Sequence, residues 1–228
     1  MRIGNELMLT RRHILKKIFL SFLAAIAARI ALPPGKRASR AWAQQARQLL
    51  PRGFPRSKIA EMHPAWIDNR DLEIDPLDQF GTMGPTDIPV DLSSYRLEVT
   101  GEVNRPLSLR YDEILKLPSV TEDVLLICPG FFSNHGRWTG VRLRDLLERA
   151  QLKKEALFID IKGHGKQMRI RIDTVYQKKL FLAYRVNGEL LPKGHGFPLR
   201  LVYADSYGDD WIKYVHEIVA APMPKPDF

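Results

Sequence analysis

Cys128, the only cysteine among 228 residues, closes the apolar run "VLLIC" and stands directly before Pro129-Gly130. A thiol with no second cysteine cannot form an internal disulfide, so it serves either packing or chemistry. Its position favours chemistry, because a strand that runs out into a loop is where a rigid scaffold presents reactive groups. Ser133, Asn134, His135 and Arg137 follow closely. Polar and basic surroundings of that kind favour thiolate over thiol, and thiolate is a soft metal ligand. Other combinations carry less. His164, His195 and His216 lack the spacing of a zinc site. "GHGKQ" (Gly163–Gln167) lacks the full glycine and lysine spacing of a phosphate loop and reads as a hairpin tip. No serine stands in a nucleophile-elbow context.

The elements that must position these residues begin near Tyr95. "YRLEVTGEV" alternates apolar and polar residues as a half-buried strand does. "LSLRYDEILKLP" starts as a strand and becomes a helical turn capped by Asp112 and stopped before Pro118. "EDVLLICPG" reads as a buried strand. "TGVRLRDLLERAQL" spaces Val141, Leu143, Leu146, Leu147 and Ala150 as an amphipathic helix. "ALFIDIKG" and "MRIRID" form two strands about the Gly-His-Gly tip. "TVYQKKLFLAYRVNGELLP" reads as a helix leading into an Asn-Gly turn, and "FPLRLVYA" and "IKYVHEIVAA" as closing strands. Many short strands with a few helices define an α+β, β-rich mixed domain over residues 95–228. Residues 44–94, rich in Pro, Gly and Asp, read as an extended arm over its surface.

The formal charge of +9 lies almost wholly in residues 1–43, where nine Lys or Arg face the single Glu6. The remaining chain, with 26 basic and 25 acidic side chains, has no basic surplus for a nucleic acid. Residues 1–43 instead have the order of an export signal. "TRRHILKK" precedes an apolar stretch of about 15 residues, too short for a bilayer span, and "AWA" (Ala41–Ala43) suits signal peptidase. The Arg11-Arg12 pair resembles a twin-arginine signal, which addresses folded proteins for export. The expectation is a cleaved signal, a mature chain beginning at Gln44, and a periplasmic protein folded around a redox cofactor before export.

Cys128-Pro-Gly, "WTGVRLRDLLERA" (Trp138–Ala150), "LAYRVNGELLPKGHGFPLRLV" (Leu182–Val202) and "YGDDWIKYV" (Tyr207–Val215) occur in that order. Together they resemble the sulfite oxidase-like molybdopterin-binding oxidoreductase domain family, from about Tyr95 to Ala221. The resemblance implies that Cys128 gives its thiolate to molybdenum while the pterin dithiolene supplies two other sulfurs. It also implies that His195, Arg200, Trp211, Ile212 and Lys213 hold the pterin and its phosphate, with backbone N–H groups at Trp211 and Ile212 as further donors. Two departures stand out. Asp210 occupies a position where relatives often carry lysine, and "CPGFFSNHGRW" replaces the Gly-Asn-Arg type of sequence typical of sulfite oxidases. With no haem or dimerisation domain expected in the chain, the resemblance leans toward the branch that contains the periplasmic methionine-sulfoxide reductase catalytic subunit.

The expected function is therefore oxygen-atom transfer on a small sulfoxide or oxyanion. His135 and Arg137 follow the metal ligand and carry donors suited to such oxygens, so both are expected to line the substrate pocket. One cysteine cannot ligate an iron–sulfur cluster, which implies a separate haem- or quinone-linked electron-transfer partner. The alternative is a catalytically inactive pterin- or anion-binding module with the same fold.

Overall fold

The computed structural model describes residues 47–223, so the signal read at residues 1–43 lies outside the described residues. Two-residue strands β1 (Gln48–Leu49) and β2 (Ile67–Asp68) pair in parallel on either side of the short helix α1 (Arg56–Ile59). The arm's composition promised an irregular surface segment, yet Leu50, Ile59, Ile67 and Leu72 are buried against Leu125 and Ile127. Apolar burial holds this stretch down, at about 1.5–3 kcal/mol for each fully buried large side chain.

Strands β3 (Arg96–Gly101) and β4 (Leu107–Arg110) follow the predicted alternation and pair antiparallel. Helix α2 (Tyr111–Ile114) is a single turn. Its N-cap is Arg110, whose N–H donates to the Glu113 carboxylate at 2.8 Å, so Asp112 sits inside the first turn and does not cap it. Next come β5 (Val120–Cys128), β6 (Phe132–Arg142), helix α3 (Leu143–Ala150), β7 (Phe158–Gly163), β8 (Lys166–Arg171) and helix α4 (Ile172–Gln177). The chain then forms β9 (Leu180–Val186), β10 (Glu189–Leu190), β11 (Arg200–Tyr203) and β12 (Glu217–Ala221).

Helix α3 matches its sequence pattern, burying Leu143, Leu146, Leu147 and Ala150. The stretch 174–192 does not match. Only α4 is helical, and "LFLAYRV" is strand β9 with both faces buried. A strand covered on both sides loses the two-residue alternation, and a short apolar run then resembles a buried helix segment.

The strands form two five-stranded sheets, β10–β9–β6–β5 with β11 also on β9, and β4–β3–β12–β7–β8. Leu180, Leu182 and Tyr184 of β9 join Leu97, Val99, Ile159, Ile161 and Ile218 of the second sheet and the leucines of α3 in the main core. The opposite face of β9, through Phe181 and Ala183, joins Leu126, Trp138 and Trp211 in a second core. Strands β5 and β6 thus have the second core on one side and the arm on the other.

Candidate active site

The Pro-Gly stretch after β5 is a tight hairpin turn. The Phe131 N–H donates to the Cys128 carbonyl at 3.0 Å, and Gly130 adopts φ +75°, the left-handed value that a type II turn needs at its third residue. The Gly130 N–H donates to the Ala60 carbonyl at 3.0 Å, so the arm anchors the turn from behind. This places Cys128, half-buried, in the wall of a cavity of about 240 Å³ between the two sheets. In the β5–β6 register Cys128 pairs with Phe132 and Leu126 with Asn134, and these residues share the cavity face. Asn134 fixes a further wall by clamping the Gly81 backbone, accepting its N–H at 3.0 Å and donating to its carbonyl at 2.8 Å. That clamp aligns Thr82, Met83 and Pro85 along the opening.

Across the cavity, the 3-10 turn Gly208–Asp210 lies against the sulfur. A Cβ on Gly208 would come within 2.8 Å of Cys128 Sγ, a distance that only glycine avoids. Burial pushes the Cys128 thiol pKa up, opposed by the charges of Arg200 and Lys213, while Asp209 adds to the rise. The cations that favour thiolate therefore come from β11 and from Lys213, not from the polar residues that follow Cys128 in sequence.

Arg200 opens β11 and is buried. Its Nη1 donates to the His195 carbonyl at 3.1 Å, its Nε has no partner, and its guanidinium lies against the rings of both Trp138 (5.9 Å) and Trp211 (5.6 Å), which pack edge-on to each other. The Trp211 Nε1 is also buried without a partner. Lys213 Nζ donates to Thr82 Oγ1 and the Gly194 carbonyl, each at 2.7 Å. Burial pulls all three titratable groups down: Arg200 to about 10, Lys213 to about 8 with Arg200 adding to the fall, and His195 to about 4 under Arg200 and Lys213. Positive charge is held here in a desolvated pocket with unused donors. That is the complement of an anion with several acceptor oxygens.

The structure groups the predicted residues unevenly. Cys128, Arg200, Trp211 and Lys213 line the cavity together. His195 stands behind it, with its ring edge-on to Phe80. The Ile212 side chain belongs to the main core, and the Trp211 N–H is spent on the Gly208 carbonyl at 3.2 Å.

His135 and Arg137 do not line the cavity, contrary to expectation. In the β5–β6 register they pair with Leu125 and Asp123, on the face opposite Cys128, because successive strand side chains alternate. His135 Nδ1 donates to the Glu73 carbonyl at 3.0 Å and Nε2 accepts from Asn69 Nδ2 at 2.7 Å, which fixes the neutral tautomer. Arg137 makes two hydrogen bonds to the Asp123 carboxylate, at 2.8 and 3.0 Å. Asp210, the other departure noted in the sequence, donates nothing to the cavity; its carboxylate accepts from Ser206 Oγ.

Several cavity residues went unforeseen: Met83, Phe131, His164, Lys166, Asp209 and Tyr214. Only the Gly-His-Gly-Lys tip offers a signal, and its sequence reads as a hairpin tip with nothing to aim it at Cys128.

Two sheets enclosing a cavity with one thiol and a desolvated cationic nest define a cofactor-dependent oxidoreductase domain, and the comparisons agree. The family model described as oxidoreductase molybdopterin binding domain matches residues 84–228, and the chain belongs to that family. It is 29% identical over 170 residues to a nitrate reductase [NADH] of Volvox carteri, covering 60% of this chain and 20% of the relative. It is 30% identical over 153 residues to the uncharacterized oxidoreductase YuiH of Bacillus subtilis (strain 168), covering 65% of this chain and 77% of the relative. Among solved structures, the sulfane dehydrogenase SoxCD from Paracoccus pantotrophus superposes with a TM-score of 0.55 at 25% identity, over 62% of this chain and 44% of that one. The chain thus spans about a fifth of the nitrate reductase it matches. The inactive-module alternative is not favoured, since these relatives are named as reductases and a dehydrogenase.

Proposed function

We propose that the chain is an exported molybdenum-cofactor oxidoreductase that transfers an oxygen atom to or from a small sulfoxide or oxyanion and exchanges electrons with a separate haem- or quinone-linked partner. The observation that carries this reading is that Cys128 shares one cavity with a cationic nest in which Arg200 Nε and Trp211 Nε1 have no protein partner. Among the described residues no group of three His, Cys, Asp or Glu is arranged to hold a metal. A metal bound at Cys128 would have to bring its other donors with it, as a pterin dithiolene does. The Arg200 Nε and Trp211 Nε1, buried without partners, fit the acceptor-rich pterin and its phosphate.

In this reading Arg200 and Lys213 bind the anionic part of the cofactor, and Lys213 is preset by Thr82 Oγ1 and the Gly194 carbonyl. His195 positions Arg200 through its carbonyl. Bound molybdenum supplies two-electron oxygen-atom transfer. Cys128 anchors it, Gly208 leaves the sulfur clear, and Leu126, Phe132 and Trp211 keep bulk water from the floor. The substrate enters past Met83 and Phe131. The twin-arginine signal at residues 1–43 accounts for folded export to the periplasm with the cofactor already inserted.

Cys128→Ser tests the assignment. Activity with a reduced artificial dye, against a panel of sulfoxides, N-oxides and oxyanions, should vanish while metal content drops. Full turnover with molybdenum still bound in that variant would overturn it.

A further inference from the structure

The β7–β8 hairpin is a two-residue turn, His164-Gly165, with Gly165 at φ +69°. It belongs to the second sheet, yet His164 and Lys166 line the same cavity as Cys128. Lys166 Nζ donates to both the backbone carbonyl and the carboxylate of Asp209. Asp209 directly follows Gly208, the residue in contact with the Cys128 sulfur. Its side chain is 90% exposed, and among the described residues it is the only carboxylate lining the cavity. The other charged or titratable lining groups among the described residues are Arg200 and Lys213 on the floor, Cys128, Tyr214, and His164 beside Lys166.

We propose that Lys166 is a specificity-determining residue, which neutralises Asp209 at the cavity mouth and so admits anionic, oxygen-bearing substrates to Cys128. The inference rests on reading this cavity as the reaction site. A carboxylate at the mouth repels an incoming oxyanion, and low-dielectric walls carry that field inward. With Lys166 in place the mouth is neutral and the floor cationic, so the field leads an anion inward. Remove the lysine, and the same anion meets a negative charge first. A neutral sulfoxide is indifferent to either arrangement.

The single cysteine permits a test without turnover. The full chain, produced without the pterin, is reacted at Cys128 with anionic 2-sulfonatoethyl methanethiosulfonate and with neutral methyl methanethiosulfonate. The ratio of the two rates reads the local charge, and changes in thiol ionisation cancel from it. Lys166→Met should lower the anionic-to-neutral ratio by roughly fivefold, Asp209→Asn should raise it about as much, and the double variant should return it near its starting value. Lys166→Arg should leave it unchanged and serves as the folding control. A ratio unmoved in Lys166→Met, or moved the same way by Lys166→Met and Asp209→Asn, would overturn the proposal. In the cofactor-loaded enzyme, Lys166→Met should raise KM for nitrate or sulfite and spare dimethyl sulfoxide. If the thiol ratios respond as expected but no substrate turns over, the reaction reading fails and the gate remains. If substrates turn over and the ratios are flat, the gate alone fails.

Discussion

The two faces of the β5–β6 ribbon are built from neighbouring residues and treated in opposite ways. On the arm side, His135 uses both ring nitrogens, its N–H donates to the Asp75 carboxylate at 2.7 Å, and Ser133 Oγ donates to the Arg56 carbonyl. On the cavity side, Arg200 keeps a free Nε and Trp211 a free Nε1, both buried. Every unmade hydrogen bond in a protein interior is costly. The arm face meets that cost internally, whereas the cavity face leaves two buried donors without a protein partner, as the proposed cofactor site requires.

The contrast breaks first at Arg200. Arg200→Met should abolish cofactor retention, measured as molybdenum and pterin per chain. The cofactor-free form should meanwhile hold or gain stability, by about 1–3 kcal/mol in a urea titration, because an uncompensated buried charge is gone. Loss of stability in the empty protein would mean the guanidinium is a structural group after all. His135→Leu should give the mirror image. It removes one partner each from the Asn69 amide and the Glu73 carbonyl, which keep the Asp123 carbonyl and Arg56, lowering stability by about 1–3 kcal/mol, while the folded fraction keeps its full cofactor content.

A finer distinction uses pH. Burial holds the His135 pKa below its ordinary value, so the native ring is neutral where the unfolded ring takes up a proton. Its contribution is complete above about pH 6.5 and is lost as the pH falls from there toward the lowered native pKa. Stability measured between pH 7 and pH 5 should fall in the parent protein and fall less in His135→Gln. The smallest effect belongs to Arg137. Its pair with Asp123 is exposed, and Arg137→Ala should shift neither the urea midpoint beyond error nor KM for any substrate. A raised KM would return Arg137 to the substrate pocket.

Local pattern made much of the fold legible. The β7–β8 hairpin and helix α3 lie where spacing placed them, since each has one buried face and a clear period, and the strand before Cys128 shows as a short apolar run ended by Pro-Gly. Strand β9 was hidden because burial on both faces erases that period. At the site, the order of motifs along the chain named Cys128, Arg200, Trp211 and Lys213, which the fold brings into one cavity. Nearness to Cys128 in sequence misled for His135 and Arg137, because an odd separation along paired strands puts a side chain on the far face. Lys166 and Met83 were out of reach for a different reason. The second sheet carries Lys166 in and the segment that Asn134 clamps at Gly81 carries Met83, and no local pattern records either placement.

Strand β12 lies in the middle of the second sheet, parallel to β3 and antiparallel to β7, although it is the last strand of the described chain. During synthesis, β3–β4 and β7–β8 therefore emerge as two separate hairpins whose open edges wait for residues 217–221. Residues 217–221 must leave the ribosome before this layer can close. Until then the walls that carry Arg200 and Lys166 have no common backing. A nascent chain stalled before Glu217 should therefore remain open to proteases and chaperones along both edges.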